Sequence, residues 1–360
     1  MKRIAFLVNG GYESAMGQRA RAFQSHLASR YDIRIAYRSG RKLLSTLKFI
    51  PFLLRNRPAA SYVFDMAYSG VLAAAIYKAI SRNTLIIDTG DCISALARSM
   101  GRSAIGCWLT RCLETASFRT ADRIVVRGSF HQDLLRENHI RAELVHDGVG
   151  IEQFAPSDVS EMRSRMGLEG VLTIGIVGTS IWSEKLQMCY GWELVETIRL
   201  LRDKPVKGIF IGGGSGIAHL KARCREYGIE DKVVFSGFVP YEKLPAYLNM
   251  IDVCLSTQTN DVVGRVRTTG KLPLYLAAGR YILASKVGEA ARLLDDEMLV
   301  DYDGTKDRGY PAKLAERILN LLKRQRPFEP SSENMALARN FDYSVLSERV
   351  DAVIISGTHT

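Results

Sequence analysis

Three stretches of this 360-residue chain carry side chains suited to chemistry. In the first, Asp261, Arg265, Arg267, Thr268, Thr269 and Gly270 lead into Lys271 and a helix expected over Lys271–Ala278. Two hydroxyls and the free N–H groups of a helix start, with cations on both sides, make an anion site. Arg267 and Lys271 are expected to neutralise a diphosphate there, with Asp261 supplying an acidic contact. An ordinary threonine cap flanked by solvated charges has the same sequence. The second stretch is Gly212-Gly213-Gly214-Ser215-Gly216, set between a strand-like run and a helix. Its N–H groups can face a phosphate, but a tight strand-to-helix turn needs the same glycines. It lacks the spacing and the following acid of a dinucleotide fingerprint. The third is Ile86-Ile-Asp-Thr-Gly-Asp91. Asp91 can orient or deprotonate a hydroxyl, or cap a helix over Cys92–Met100.

Regular elements must hold these groups in place. Ile4–Val8, Asp32–Tyr37, Ser61–Phe64, Thr84–Ile87 and Arg123–Arg127 read as strands. Helical stretches over Arg19–Ser29, Gly70–Ile80, Ile105–Arg119 and Gln132–Glu137 alternate with them. The second half repeats the alternation, with strands at Val171–Val177, Val206–Ile211, Val233–Ser236, Val253–Ser256 and Tyr281–Ala284. Such alternation signals α/β architecture with parallel sheets covered by helices. Two Rossmann-like, doubly wound domains are expected, over 1–155 and 156–340, with the break near Phe154-Ala155-Pro156. Ligands of such sheets sit beyond the strand carboxyl ends.

The order of motifs adds to this. Val145–Pro156 resembles the linker entry of family-4 glycosyltransferases. Val177-Gly178-Thr179 with Lys185 resembles their first donor-domain strand and phosphate loop. Phe210–Gly214, Val233–Pro240, Leu244–Val253 and Lys271–Gly279 follow in the family's order. The resemblance covers about residues 121–300 and implies a GT-B fold. It also implies a nucleotide-sugar donor, a lipid-linked, glycan or other hydroxyl acceptor, and retaining transfer of a hexose without metal or organic cofactor. By it, Lys185 meets the donor diphosphate as a catalytic cation, Gly178, Gly212 and Gly214 line the donor, and the backbone of Phe238 and Val239 meets the base. Gly10, Gly11, Gly17 and Arg19 fall on the acceptor side, facing the cleft of such a fold, and 341–360 holds a helix crossing back to the first domain. Asp91 lies beside Gly90, where many relatives carry a histidine. Three departures stand out: the family's phosphate-binding arginine is Thr179, and its two glutamates are Val266 and Leu274. Their loss motivates the alternative of a non-catalytic sugar-nucleotide binder or scaffold.

Charge points to a partner. Residues 1–150 hold 22 Lys/Arg against 11 Asp/Glu, whereas 151–360 hold 27 of each, so the first half carries the whole net charge of +11. That asymmetry suggests an anionic acceptor or membrane surface. The basic residues form no nucleic-acid motif. The stretch Arg41–Arg57 joins Arg41, Lys42, Lys48, Arg55 and Arg57 to apolar residues including Phe49 and Phe52, with no acid between Ile33 and Phe64. Such an element can lie in a lipid interface or pack on a sheet with a basic edge, and Pro51 is expected to kink or divide it. Six cysteines without a C-x-x-C pair argue for thiols over disulfides or a metal site. The opening apolar run is too short for a signal sequence, so a cytoplasmic, peripherally membrane-bound protein is expected.

Overall fold

The computed structural model describes residues 1–38, 40, 42–66, 68–268, 270–323 and 329–358, with only the backbone for Lys42 and Leu43. Two compact units emerge. The first comprises Met1–Gly148, Arg265–Thr268 and Asn340–Thr360, and the second comprises Val149–Gly264 and Thr269–Arg339.

In the first unit the elements run β1 (Lys2–Val8), α1 (Ala15–Leu27), β2 (Tyr31–Tyr37), α2 (Lys42–Asn56), β3 (Ala60–Phe64) and α3 (Tyr68–Ser81). They continue as β4 (Thr84–Thr89), α4 (Ile93–Ser99), α5 (Ala104–Thr120), β5 (Arg123–Val126), α6 (Ser129–Glu137) and β6 (Glu143–Leu144). The strands form one parallel sheet of order β2-β1-β3-β4-β5-β6. β3 and β4 are buried along their whole length, as expected of central strands covered on both faces. Alternation along β1 sends Ile4, Phe6 and Val8 to one face and Ala5 and Leu7 to the other. Phe49 and Leu53 of α2, with Val71, Ala74 and Tyr77 of α3, close over the Ala5–Leu7 face.

α2 takes the second of its two expected readings, packing on the sheet with a basic edge. Phe49 is core, and Phe52 is packed partly against that core, because both point to the sheet. Lys48, Arg55 and Arg57 are exposed. Pro51 lies inside one continuous helix instead of dividing it. Arg41 and the side chain of Lys42 lie outside the described residues.

The second unit begins with α7 (Ile151–Phe154) and α8 (Ser160–Arg165), then alternates β7 (Leu172–Val177), α9 (Trp192–Leu200), β8 (Val206–Ile211), α10 (Ile217–Tyr227), β9 (Val233–Gly237), α11 (Leu244–Asn249) and β10 (Val253–Ser256). It continues through α12 (Val262–Val266), α13 (Lys271–Ala277), β11 (Tyr281–Ser285), α14 (Ala290–Leu293), β12 (Leu299–Val300), α15 (Tyr310–Lys323) and α16 (Ser332–Ala338). Its parallel sheet runs β12-β11-β10-β7-β8-β9, so the strand order reverses between β7 and β10. The crevice outside the carboxyl ends of those two strands is the position where such sheets bind ligands. The last helix, α17 (Tyr343–Thr358), belongs to the first unit, where Leu346, Val350, Val353 and Ile354 complete the core on the Ile4–Val8 face.

Candidate functional site

At the β7–β10 switch point of the second unit, β7 ends in Val177, whose N–H donates to the Tyr275 hydroxyl at 3.0 Å. That bond ties the strand end to α13. Gly178 follows with φ +149, and a Cβ there would meet Lys271 Cε at 3.2 Å and the Tyr190 ring at 3.2 Å. The Lys271 ammonium lies 3.8 Å from the centroid of the Tyr190 ring, a cation–π seat. Beneath it, in the first turn of α9, Glu193 is buried and its carboxylate accepts the Gly191 N–H at 3.1 Å. Burial pushes the Glu193 carboxyl up, while the Gly191 N–H and the Lys271 charge pull the other way.

The glycine cluster makes the tight turn that its spacing allowed beside a phosphate contact. Gly178 N–H donates to Ile211 O at 2.9 Å, and Ser180 N–H to Gly213 O at 2.8 Å. Gly212 N–H donates to Gly237 O at 3.0 Å, and Gly216 N–H to Ser180 O at 3.0 Å. The N–H groups of Gly178, Gly212 and Gly216 are thus consumed in joining neighbouring loops. A Cβ on Gly212 would stand 1.9 Å from Gly178 O, and one on Gly214 would stand 2.0 Å from Ser180 O, so the glycines allow two loops to touch. Gly213 faces open space.

The loop between β10 and α13 also divides its residues. Asp261 Oδ1 accepts from Thr259 Oγ1 and from Gly264 N–H, each at 2.8 Å, which is a cap for α12. Arg267 belongs to the first unit, where its Nε donates to Asp91 Oδ1 at 2.8 Å with both side chains partly exposed. The Thr268 hydroxyl is buried without a partner, Gly270 is partly buried ahead of α13, and Thr269 lies outside the described residues. Val266 is fully buried and Leu274 nearly so, filling with core the two positions where the resemblance implies acids. Lys185 is exposed within a turn closed by a bridge between Ser183 and Met188. Phe238 stands out after β9 with 78% of its surface exposed, and Val239 beside it is half-buried.

In the first unit, Gly10 and Gly11 lie in the turn between β1 and α1, and Gly17 in the first turn of α1, where its N–H donates to the capping Ser14 hydroxyl at 3.1 Å. A Cβ on Gly17 would strike Tyr12 O at 2.3 Å, so this glycine is a packing requirement, whereas Gly11 is open. Arg19 is not presented to a ligand. Its guanidinium is buried, donating from Nε to Asp88 Oδ2 at 3.0 Å and from Nη2 to Val145 O at 2.9 Å. Asp88 is fully buried and also accepts from Arg127 Nε at 2.8 Å and from the Tyr62 hydroxyl at 3.0 Å. Arg127 pairs in turn with Asp65. Burial alone would raise the Asp88 carboxyl, but the Arg19 and Arg127 charges outweigh it and hold it low. Asp147, 3.8 Å from Arg127 and 4.0 Å from Arg19, is pushed up by burial.

Asp91 does not cap α4, and its charge acts on His131 of α6. Burial lowers the His131 imidazole to about 4, against the pull of Asp91, and its Nδ1 has no partner. Among the described residues, no group of three or more His, Cys, Asp or Glu side chains forms a metal site. Sequence reasoning passed over Glu193, Tyr190, Arg127 and His131. An acid in a first helical turn is ordinary, and nothing local marks the other three.

Residues 173–324, which contain Gly178, Phe238 and Lys271, match the profile of the family described as Glycosyl transferases group 1. The chain as a whole has the GT-B fold. It superposes on HepE from Anabaena, solved with UDP and glucose, with a TM-score of 0.75 at 17% identity, covering 99% of this chain and 100% of that one. Sucrose-phosphate synthase from Thermosynechococcus elongatus gives a TM-score of 0.76 at 13% identity, covering 99% of each chain. In sequence, the 2-deoxystreptamine glucosyltransferase of Streptomyces kanamyceticus is 32% identical over 139 residues, 37% of this chain and 33% of its own length. The alpha-monoglucosyldiacylglycerol synthase of Streptococcus pneumoniae is 21% identical over 276 residues, 74% of this chain and 59% of its own. The matches thus span about a third and about three-fifths of these two relatives. Lys271 and its Tyr190–Glu193 support lie within the residues that match this profile, at the sheet's switch point.

Proposed function

We propose that this protein is a glycosyltransferase that moves a hexose from a UDP-activated donor, held by the second unit, to a hydroxyl acceptor. The observation that carries the reading is Lys271. Its ammonium is fixed over Tyr190 and beside Gly178 where β7 and β10 part, within the residues that match the group 1 profile. An ammonium held there offsets the charge that develops on a leaving diphosphate, in place of a divalent ion. One fold relative, HepE, solved with UDP and with UDP and glucose, and two relatives named as a glucosyltransferase and a glucosyl-lipid synthase support UDP-glucose as the first donor to try. The order of motifs supports retention at the anomeric carbon. Lys185 is a second cation for the diphosphate, and Asp91, held by Arg267, is the group offered to an acceptor hydroxyl.

The test is UDP release from UDP-glucose with a panel of hydroxyl acceptors, with product anomers assigned by NMR. Lys271→Ala should lower turnover about 100-fold or more, the effect of removing a group that stabilises transition-state charge. Unchanged turnover in both Lys271→Ala and Lys185→Ala would refute the site. The core residues Val266 and Leu274 favour a second reading, a sugar-nucleotide binder without transfer activity. Binding of UDP-glucose with no UDP release under any acceptor would select it.

A further inference from the structure

α2, α3 and α5 lie in one layer over the Ala5–Leu7 face of the first sheet. A helix in such a layer normally turns its apolar side to the sheet. α5 is inverted. Ile105, Trp108, Leu109 and Leu113, recurring at i, i+3, i+4 and i+8, point to solvent, with Ile105 72% and Trp108 64% exposed. Its buried positions are instead Thr110, Glu114 and Ser117.

The inversion has a local cause. α4 begins at Cys92 with no side-chain cap of its own. Glu114 supplies one from α5, its carboxylate accepting the N–H of Ile93 at 2.6 Å and of Ser94 at 3.3 Å. Capping a positive helix end fixes the polar side of α5 inward. The apolar side is then left outside.

The neighbouring helices extend the same surface. α3 exposes Leu72, Ile76 and Ile80 at a four-residue spacing, and α2 exposes Leu44, Leu47 and Leu54. The sequences of α2 and α3 contain no Asp or Glu, and the single acid of α5 is the buried Glu114. The exposed charges among the described residues of α2 and α5, and of the α4–α5 turn, are cations: Lys48, Arg55, Arg102, Arg111 and Arg119. Exposed apolar side chains gathered on three neighbouring helices mark an interaction site.

We infer that this face of the first unit docks on the surface of an anionic phospholipid bilayer, with α5 as the penetrating element. Helices lying in an interface bury an apolar face at the acyl boundary and keep cations at the headgroups, and Trp108 is the residue type that favours that boundary. Charge argues against a second copy of the chain as occupant. A twofold contact would set these cations against one another with no exposed acid from the three helices between them. The inference goes beyond sugar transfer and does not depend on it. It also extends the lipid contact from α2, where the sequence placed it, to α3 and α5, with α5 at its centre.

The test is flotation of the full chain with phosphatidylcholine vesicles, with and without phosphatidylglycerol. Binding is expected only with phosphatidylglycerol. The double variant Trp108→Ser/Leu109→Ser should weaken it at least about ten-fold, the loss expected for two large apolar side chains. Arg111→Gln and Arg119→Gln should each weaken it about five-fold and reduce its sensitivity to salt. Thermal melting and UDP-glucose binding, followed on the same samples, report folding and the donor site separately. A failure of donor binding alone would count against the transferase reading and leave the surface standing. The inference is overturned if the wild type ignores vesicles, or if binding survives the double variant. It is equally overturned if neutral vesicles bind as well, or if sedimentation shows a self-associated chain that Trp108→Ser releases.

Discussion

Asp88→Asn is the substitution on which the buried cluster of the first unit depends most. In the native chain one carboxylate, fully buried, accepts from Arg19 at 3.0 Å, Arg127 at 2.8 Å and Tyr62 at 3.0 Å. An amide in its place loses the charge and turns an NH2 toward one of those donors. Removing one partner of a buried ion pair strands the other charge and costs about 3–5 kcal/mol. Arg127 keeps Asp65 and Asp147 as neighbours, whereas Arg19 keeps carbonyls and the more distant Asp147, so most of the penalty falls on Arg19. About 4 kcal/mol, in a unit of this size, corresponds to a melting point lower by about 8–16 °C. Calorimetry and urea titration would measure it. The double variant Arg19→Met/Asp88→Asn should be less damaged than the two single losses combined, by about 1.5 kcal/mol or more. The pH dependence has a definite sign. The Asp88 carboxyl is held low in the fold, so its contribution is full above about pH 4, the unfolded value, and disappears as pH falls through the folded one. The gap between wild type and Asp88→Asn should therefore close in acid. A penalty below about 1 kcal/mol, additive with Arg19→Met, would refute the cluster as a stabilising centre.

Two further outcomes are expected. Phe238→Ala should weaken UDP binding about 5- to 100-fold, the range for losing one aromatic face under a base, with calorimetry as the measurement; unchanged affinity would remove Phe238 from the base site. His131 is buried neutral with its imidazole lowered to about 4, so the unfolded chain binds its proton first as pH falls below about 6.5. The native state should lose up to about 3 kcal/mol from this residue between pH 6.5 and 4, and His131→Gln should flatten that part of the urea-stability profile.

The strands were legible because parallel sheets covered on both faces need short, continuous apolar runs, and Val206–Ile211 or Thr84–Ile87 admit few other readings. Element ends were less so. Ser14 starts α1 several residues before Arg19, and β6 and β12 are too short, at two residues each, to show a pattern. Tyr310, Leu314, Ala315, Ile318 and Leu321 recur at helical spacing in α15, a signal that motif order alone passes over. Within the site, Lys271 was found because hydroxyls and the free N–H groups of a helix start, flanked by cations, make an anion site. The glycines were legible as a turn, but the same spacing serves a phosphate or a close contact between loops, and only the folded loops show the contact. Arg19 and Phe49 misled for one shared reason: sequence gives a residue's type but not the side of the helix that faces the sheet, and both face it. Glu193 and His131 acquire their perturbed protonation from burial among distant segments, which no local pattern encodes.

The position of α17 has a consequence for how the chain is made. Four of its residues close the core over β1, β3 and α1, yet they are synthesised long after those elements. With translation at about 5–20 residues per second, the nearly 200 residues from Gly148 to Tyr343 take roughly 10–40 s to emerge. During that interval Phe23, Tyr62 and Phe64 lack their lid. The second unit takes all of 149–339 except Arg265–Thr268, so it can complete itself first. A half made first is thereby finished last, and the nascent chain needs a chaperone, or fast burial of that open face, to survive the wait.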